Sequence, residues 1–275
     1  LLGPSTDQGK VISVIFLALA FGIALRPLAK KPEVTVTDLV EVAMHALIKV
    51  LHRGIEFVPI AVFGVVASFV GTQSFAPFKA LGAFIIAVLL ALFCQAIYYL
   101  VRIRLASWVR PGYLLRKTRD ALFMAFSTSS STITMPLTFE CLRERVGLRE
   151  RSASLGALVG SNFDNDGTAL YEAMTALFVS RMLVIAGIAQ PLTLEQQFLV
   201  VVTSVFASVG AAGIPEAGLV TMTLVFKAVN LPIEYIALLL PVDWFLDRCR
   251  TCINVMGDMN VACLLDGRER EVKSQ

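Results

Sequence analysis

Between the apolar stretches Ile236 to Pro241 and Val261 to Leu265, the chain carries the run Asp247-Arg248-Cys249-Arg250-Thr251-Cys252-Ile253-Asn254-Val255-Met256-Gly257-Asp258. At about 100° per residue, Asp247, Arg250, Asn254 and Asp258 fall within roughly 80° of one another on a helix. They form one polar stripe on an otherwise apolar segment. An ionisable group at membrane depth costs at least about 2.5 kcal/mol on insertion scales, and it persists where it faces a partner, water or a ligand. The stripe therefore predicts a binding site. A self-neutralising Asp247-Arg250 pair that locks two helices together is the alternative, and it leaves Asn254 and Asp258 without a reason.

That segment belongs to a membrane protein. Charged residues make up 16% of the chain, against about 25% in soluble domains. The run from Ala80 to Val101 holds 22 residues without a charge, enough to cross a hydrocarbon core about 30 Å thick. A formal charge of +3 is too small to point to nucleic acid, and the basic residues flank apolar segments, where topology accounts for them. No nucleic-acid partner is predicted. Five dispersed cysteines read as free thiols; Cys249 and Cys252 make a CxxC without a second Cys or His pair in nearby sequence, which disfavours zinc or redox chemistry. The sequence starts at Leu1 with no initiator Met, basic n-region or small-residue cleavage site. It reads as lacking a signal peptide and as truncated at its N-terminus.

Taken in order, Val11 to Leu25 reads as the end of a helix, and Asp38 to Val70 as one helix that is amphipathic first and apolar later. His45 and His52 on it read as interfacial, since no further ligand recurs at matching spacing. After the span at Ala80 to Val101, the basic loop from Arg102 to Arg119 is cytoplasmic by the positive-inside rule. Two short apolar pieces, Ala121 to Phe126 and Met135 to Phe139, flank a hydroxyl-rich run, Ser127 to Thr132, and a second basic patch, Arg143 to Arg151, follows. Both ends lie on one side, which predicts a re-entrant hairpin. A hydroxyl-rich helix packed on its neighbours is the alternative.

Leu155 to Val179 is broken by Ser161-Asn162-Phe163-Asp164-Asn165-Asp166-Gly167-Thr168, where the helix is expected to unwind. Unwound backbone at membrane depth lines a cavity or is buried, and its freed carbonyls suit hard cations. A calcium loop is the rival, but the acidic closing residue of an EF-hand is absent. Farther on, Phe198 to Phe226 is apolar apart from the Gly- and Pro-rich centre Ala207 to Gly218, a second expected hairpin, returning to the other side. Two hairpins of opposite orientation, each beside a polar-interrupted helix, make the pattern of an inverted repeat around a midplane site. The basic residues Arg268, Arg270 and Lys273 place the C-terminus in the cytoplasm.

Four ordered motifs, Ser129 to Pro136, Asp166 to Tyr171, Ala207 to Gly218 and Asp243 to Asp258, together resemble the glutamate transporter family of dicarboxylate/amino acid:cation symporters. The resemblance covers essentially the whole chain, and implies that the first three family helices are missing. It implies an all-α integral membrane fold, with two re-entrant helical hairpins and two interrupted helices. It also implies remaining scaffold helices at 1–78, a transport domain at 79–266 and a cytoplasmic tail at 267–275. Ser129, Ser130 and Ser131 with Asn254 would meet the substrate α-carboxylate. Asp247, Thr251 and a carbonyl near Ile214 would hold the ammonium, and Arg250, Thr168 and the Gly218 backbone the side-chain carboxylate. A guanidinium fork favours an acidic substrate. Na+ would lie between the Gly160, Asp164 and Asn254 carbonyls with the Asp258 carboxylate, around Asp166, and between Asn162 and the Ser208, Val209 and Ala211 carbonyls.

The chain departs from the family at Asp164-Asn165-Asp166-Gly167-Thr168, where Asn-Met-Asp-Gly-Thr is usual, and milder at Thr132, where a serine is usual. Either Asp164 is protonated in the ion-free state and releases H+ as cations bind, or it stays ionised and demands more positive charge than the usual site, or it offers only its backbone carbonyl while its side chain pairs with a nearby donor. The reading is a cation-coupled symporter of an acidic amino acid or dicarboxylate such as glutamate or aspartate. It would be a multi-pass cell-membrane protein in contact with lipid and a homotrimer by resemblance, not an enzyme. Alternatives are a transport-inactive homologue with a structural or regulatory role, and a neutral amino acid exchanger, against which Arg250 argues.

Overall fold

A computed structural model describes residues 76–211 and 217–269, with side chains from residue 81 onwards, together with isolated positions between 38 and 67. The chain divides into two compact units, Leu1–Ala67 and Ser68–Gln275, and the second is described below. The expectations for His45, His52, the helices at 1–78 and the carbonyl near Ile214 lie outside the described residues. Among the described residues every element is helical.

Helix α1 (Ala76–Ala106) has 31 residues, about 46 Å at 1.5 Å per residue. Its buried seam, Leu81, Phe84, Val88, Leu92, Tyr99 and Ile103, follows the helical period, while Ile86, Leu90, Phe93, Ile97 and Val101 face outward. An outward apolar face of this extent suits lipid. Among the described residues it is one of two helical stretches long and apolar enough to cross a membrane, Leu81–Ala106 and Glu150–Ile185.

Helix α2 (Pro111–Thr128) starts on a proline, whose fixed φ suits the first turn. It ends at Ser129, which takes the left-handed conformation (φ 51°) and returns its N–H to the Ala125 carbonyl. Ser130 then caps α3 (Ser131–Glu140), its hydroxyl accepting the Ile133 N–H at 3.2 Å. Ser–Ser thus ends one helix and begins the next with no intervening loop. A π-helical turn, Cys141–Val146, extends α3 as far as Gly147.

Next come α4 (Glu150–Ser154), a π turn at Leu155–Val159 and α5 (Gly160–Phe163). Asp164 and Asn165 leave helical geometry, and α6 (Asp166–Ile185) follows. Thr193 and Gln196 form a capping box that opens α7 (Leu194–Val209). Helix α8 (Ala217–Ala228), a 3-10 stretch (Ile233–Leu239) and α9 (Leu240–Asp266) complete the described chain.

The polar stripe lies on α9, and here the structure corrects the sequence: the second interrupted helix is continuous from Leu240 to Asp266. Arg250 bonds to Asp247 one turn back and Asn254 to the start of α6, and the backbone stays helical throughout. Leu246 and Ile253 join a core with α1, α6, α7 and α8, while Val255, Met259, Ala262 and Cys263 join a second core with α2, α3 and α4. Helix α9 is therefore the wall shared by two cores. At its end, Asp266 accepts from Trp108 Nε1 (2.7 Å) and from the Arg149 N–H (2.9 Å) and Nε (3.1 Å). All five cysteines are free.

Candidate functional site

Four pieces of chain meet at one cavity. Ser129 and Ser131 come from the α2–α3 junction, Asn165 and Thr168 from the start of α6, Ala211, Ala217 and Gly218 from the α7–α8 region, and Asp247, Thr251 and Asn254 from α9. Ser130 does not line it, because its hydroxyl is spent on capping α3. Thr251 Oγ1 donates to the Asp247 carbonyl at 2.9 Å, the usual bond of a helical threonine to the preceding turn.

Arg250 sits behind this lining, 1% exposed. Its Nη2 lies 2.6 Å from Asp247 Oδ1 and 3.2 Å from Asp243 Oδ1, and its guanidinium carbon is 4.1 Å from the centre of the Tyr171 ring. Two carboxylates and an aromatic face thus hold one buried cation. Nε and Nη1 donate to no protein atom. A Cβ at residue 218 would stand 2.9 Å from Nη1, so glycine there lets α8 close over the guanidinium.

Asn254 organises the start of α6. Its Oδ1 accepts the Gly167 N–H at 2.8 Å, and its Nδ2 donates to Thr168 Oγ1 (3.1 Å) and Asn165 Oδ1 (3.2 Å). Asn165 in turn donates from Nδ2 to the Ser208 carbonyl at 3.0 Å. That carbonyl also accepts the Ala211 N–H at 3.1 Å, which fills both lone pairs. In this arrangement it does not fit a cation. Asn162, another expected ligand, is exposed and donates to the Leu158 carbonyl at 3.2 Å.

Three carboxylates gather on the other side of Asn254. Asp258 is 1% exposed, and neither of its oxygens has a hydrogen-bond partner. Asp164 Oδ2 is likewise unpartnered. A Cβ at Gly160 would lie 2.8 Å from Asp164 Oδ2 and 3.0 Å from Asp258 Oδ1. Buried, unpartnered carboxylate oxygens beside freed backbone are what a hard cation requires, so these residues fit one. Asp166 is exposed and accepts hydrogen bonds from Tyr99 Oη and, at 3.4 Å, Gln95 Nε2.

Of the residues expected from sequence, Ser129, Ser131, Thr168, Gly218, Asp247, Thr251 and Asn254 share the cavity, with Arg250 behind it, and Gly160, Asp164 and Asp258 converge nearby. Val209 and Ala211 follow Ser208 at the end of α7, Ala211 lining the cavity. Several residues escaped the sequence reading. Asp243 and Tyr171 complete the Arg250 cage. The spacing of Asp243, Asp247 and Arg250 at i, i+4 and i+7 on one helical face was a usable signal. Glu172, fully buried, accepts from Thr221 Oγ1 at 2.5 Å and links α6 to α8. Arg248 Nη1 donates to the Phe126 (2.9 Å) and Ser127 (2.8 Å) carbonyls and tethers the end of α2 to α9.

A cavity lined by charged and polar side chains and walled by apolar helices is where a membrane protein can hold a polar solute or ion. The sequence pattern of the sodium:dicarboxylate symporter family matches residues 3–268, and the chain belongs to that family, one of multi-pass membrane transporters. Excitatory amino acid transporter 3 of Oryctolagus cuniculus is 33% identical over 262 residues, 94% of this chain and 48% of the relative. An excitatory amino acid transporter of Caenorhabditis elegans is 35% identical over 259 residues, 92% of this chain and 50% of the relative. Excitatory amino acid transporter 1 of Homo sapiens is 43% identical over 180 residues, 65% of this chain and 31% of the relative. The chain spans about half the length of the relatives it matches along most of its own.

Proposed function

We propose that the protein is a cation-coupled symporter of an acidic amino acid or related dicarboxylate, with glutamate and aspartate as the leading substrates. The observation that carries this reading is Arg250, a fully buried guanidinium with two of its nitrogens, Nε and Nη1, unpartnered, beside a cavity that also holds Asp247. A zwitterion with a second carboxylate complements both charges. A guanidinium fork also prefers a carboxylate to a neutral side chain.

The α-carboxylate would lie at Ser129 and Ser131, near the first turn of α3, where the helix dipole favours an anion, with Ser130 fixing that turn as its cap. Asn254 would orient the start of α6 and reach the same carboxylate. Asp247 and Thr251, with a carbonyl near Ile214, would take the ammonium, and Arg250, Thr168 and the Gly218 backbone the second carboxylate. Na+ would occupy Asp258 with the carbonyls of Gly160, Asp164 and Asn254, and a second ion would sit by Asp166. A third, among Asn162, Ser208, Val209 and Ala211, requires the Asn165 amide to leave the Ser208 carbonyl. H+ on Asp164 is a further candidate for coupling.

On this reading α2–α3 and α7–α8 are re-entrant hairpins, the second acting as gate, and the break at Asp164 and Asn165 is an interrupted membrane helix. Residues 79–266 are the transport domain of a lipid-embedded trimer, residues 1–78 belong to its scaffold, and the tail at 267–275 is cytoplasmic. Calorimetric titration of the full-length protein in detergent tests the binding step. Aspartate should bind in Na+ and not in choline. Serine binding with aspartate silent would replace this reading by a neutral exchanger, and silence of both by an inactive homologue.

A further inference from the structure

Asp164 Oδ2 and Asp258 Oδ1 both lie within 3.0 Å of the point that a Cβ on Gly160 would occupy, so both oxygens face one small space kept open by glycine. Asp258 is 1% exposed, and both its oxygens and Asp164 Oδ2 lack any hydrogen-bond donor. Neither carboxylate enters an ion pair among the described residues. The next charge toward α1 is Asp166, a third acid, held by Tyr99 and Gln95. Two formal negative charges therefore converge in a partly dehydrated space with no protein cation to offset them.

A monovalent ion there leaves one charge uncompensated, and in a medium of low effective dielectric that is costly at such distances. A divalent ion neutralises the pair. The donors are all oxygen, which excludes soft-metal chemistry and matches Ca2+, whose flexible coordination accepts carboxylates and backbone carbonyls together. Such carbonyls are at hand, because Asp164 (φ −87°, ψ 55°) and Asn165 (φ −92°, ψ 41°) depart from helical geometry. Mg2+ fits less well, since it demands near-octahedral geometry and keeps its water.

We infer that Gly160, Asp164 and Asp258 form a site for a divalent hard cation, Ca2+ above all. The inference deepens the cation-coupled reading and rests on it for the location of the ion. Na+ and Ca2+ then compete for one position, and Ca2+ regulates coupling.

Equilibrium dialysis with radioactive Ca2+, on the full-length protein in detergent and Na+-free choline buffer, tests this. Saturable binding displaced by excess Na+ is expected, weakened about tenfold or more in Asp164→Asn, since affinity follows the charge count of the ligands. Asp258→Asn should weaken it as well, whereas Asp120→Asn, a surface acid paired with Arg145, should not; thermal melting checks that each variant is folded. Absence of saturable binding to the folded parent up to millimolar Ca2+ would overturn the inference, as would equal binding by Asp164→Asn. Aspartate titration of the same parent preparation separates the two claims. Na+-dependent aspartate binding without Ca2+ binding sinks only the divalent site. Ca2+ binding with the expected loss in Asp164→Asn, but no aspartate binding, keeps the site and sinks the symporter.

Discussion

Asp247 Oδ1 stands 2.6 Å from Nη2 of Arg250, one turn along the same helix. The two charges proposed to receive an acidic amino acid are thus each other's partners. On the proposed reading, entry of the substrate would exchange one buried ion pair for two, its ammonium taking Asp247 and its carboxylate the guanidinium. Asp243, 3.2 Å from the same Nη2, keeps Arg250 in place during the exchange. A substrate lacking the second carboxylate would separate Asp247 from Arg250 without repaying the guanidinium, which makes the pair a filter for dicarboxylates.

Replacing Arg250 tests that filter. In Arg250→Thr the substrate carboxylate is buried without a partner, and truncating one side of such a pair costs about 2 to 5 kcal/mol, or tens- to thousands-fold in aspartate affinity. Calorimetry gives the number directly. An affinity within a few-fold of the parent would remove Arg250 from the site.

Gly218→Ala probes the same group from the opposite helix. The added methyl would sit 2.9 Å from Arg250 Nη1 and 3.3 Å from Thr168 Cγ2. With the guanidinium pinned by two carboxylates and the Tyr171 ring, neither neighbour yields freely, and aspartate affinity should fall about tenfold while the fold survives. Unchanged affinity would place the substrate elsewhere.

Asn165→Leu should loosen the contact between α6 and α7. The substitution deletes one of two donors to the Ser208 carbonyl and one of two acceptors for Asn254 Nδ2, and each lost bond costs about 0.5 to 1.5 kcal/mol. Amide exchange at the end of α7, around Val209 to Ala211, is expected to speed up, with α1 unaffected. Equal protection in the variant would mean that the bond to Ser208 contributes nothing to holding α7.

Asp266, the last residue of α9 and outside the apolar stretch, supplies a pH signature. Burial opposes its charge, but donation by Trp108 and Arg149 outweighs this and holds the carboxyl below its usual range. A group depressed on folding stabilises the protein above its unfolded value of about 3.9 and ceases to do so as pH falls through the lower folded value. Melting temperature should therefore lose this contribution below about pH 4, and Asp266→Asn should flatten that acid limb and lower stability at neutral pH. An identical pH profile for the variant would contradict the assignment.

Much of this was legible in the sequence where chemistry and period coincide. The stripe at Asp247, Arg250, Asn254 and Asp258 could be read because a helix projects those positions to one side, and the Ser127 to Thr132 run because hydroxyls between short apolar pieces cannot simply span. What stayed hidden depends on which neighbour arrives. Nothing in the sequence alone reveals that Asn165 reaches the Ser208 carbonyl, or that Ser130 is consumed as a cap while the serines beside it line the cavity. Helix α9 carries its stripe without a break, and Arg250 and Asn254 on it bond to Asp247 and to the start of α6.

The most direct measurement is uptake of labelled aspartate by the full-length protein in proteoliposomes. The account predicts accumulation that requires an inward Na+ gradient, is competed by glutamate but not serine, and disappears in Arg250→Thr. Uptake indifferent to the Na+ gradient, or a preference for serine over aspartate, would contradict it.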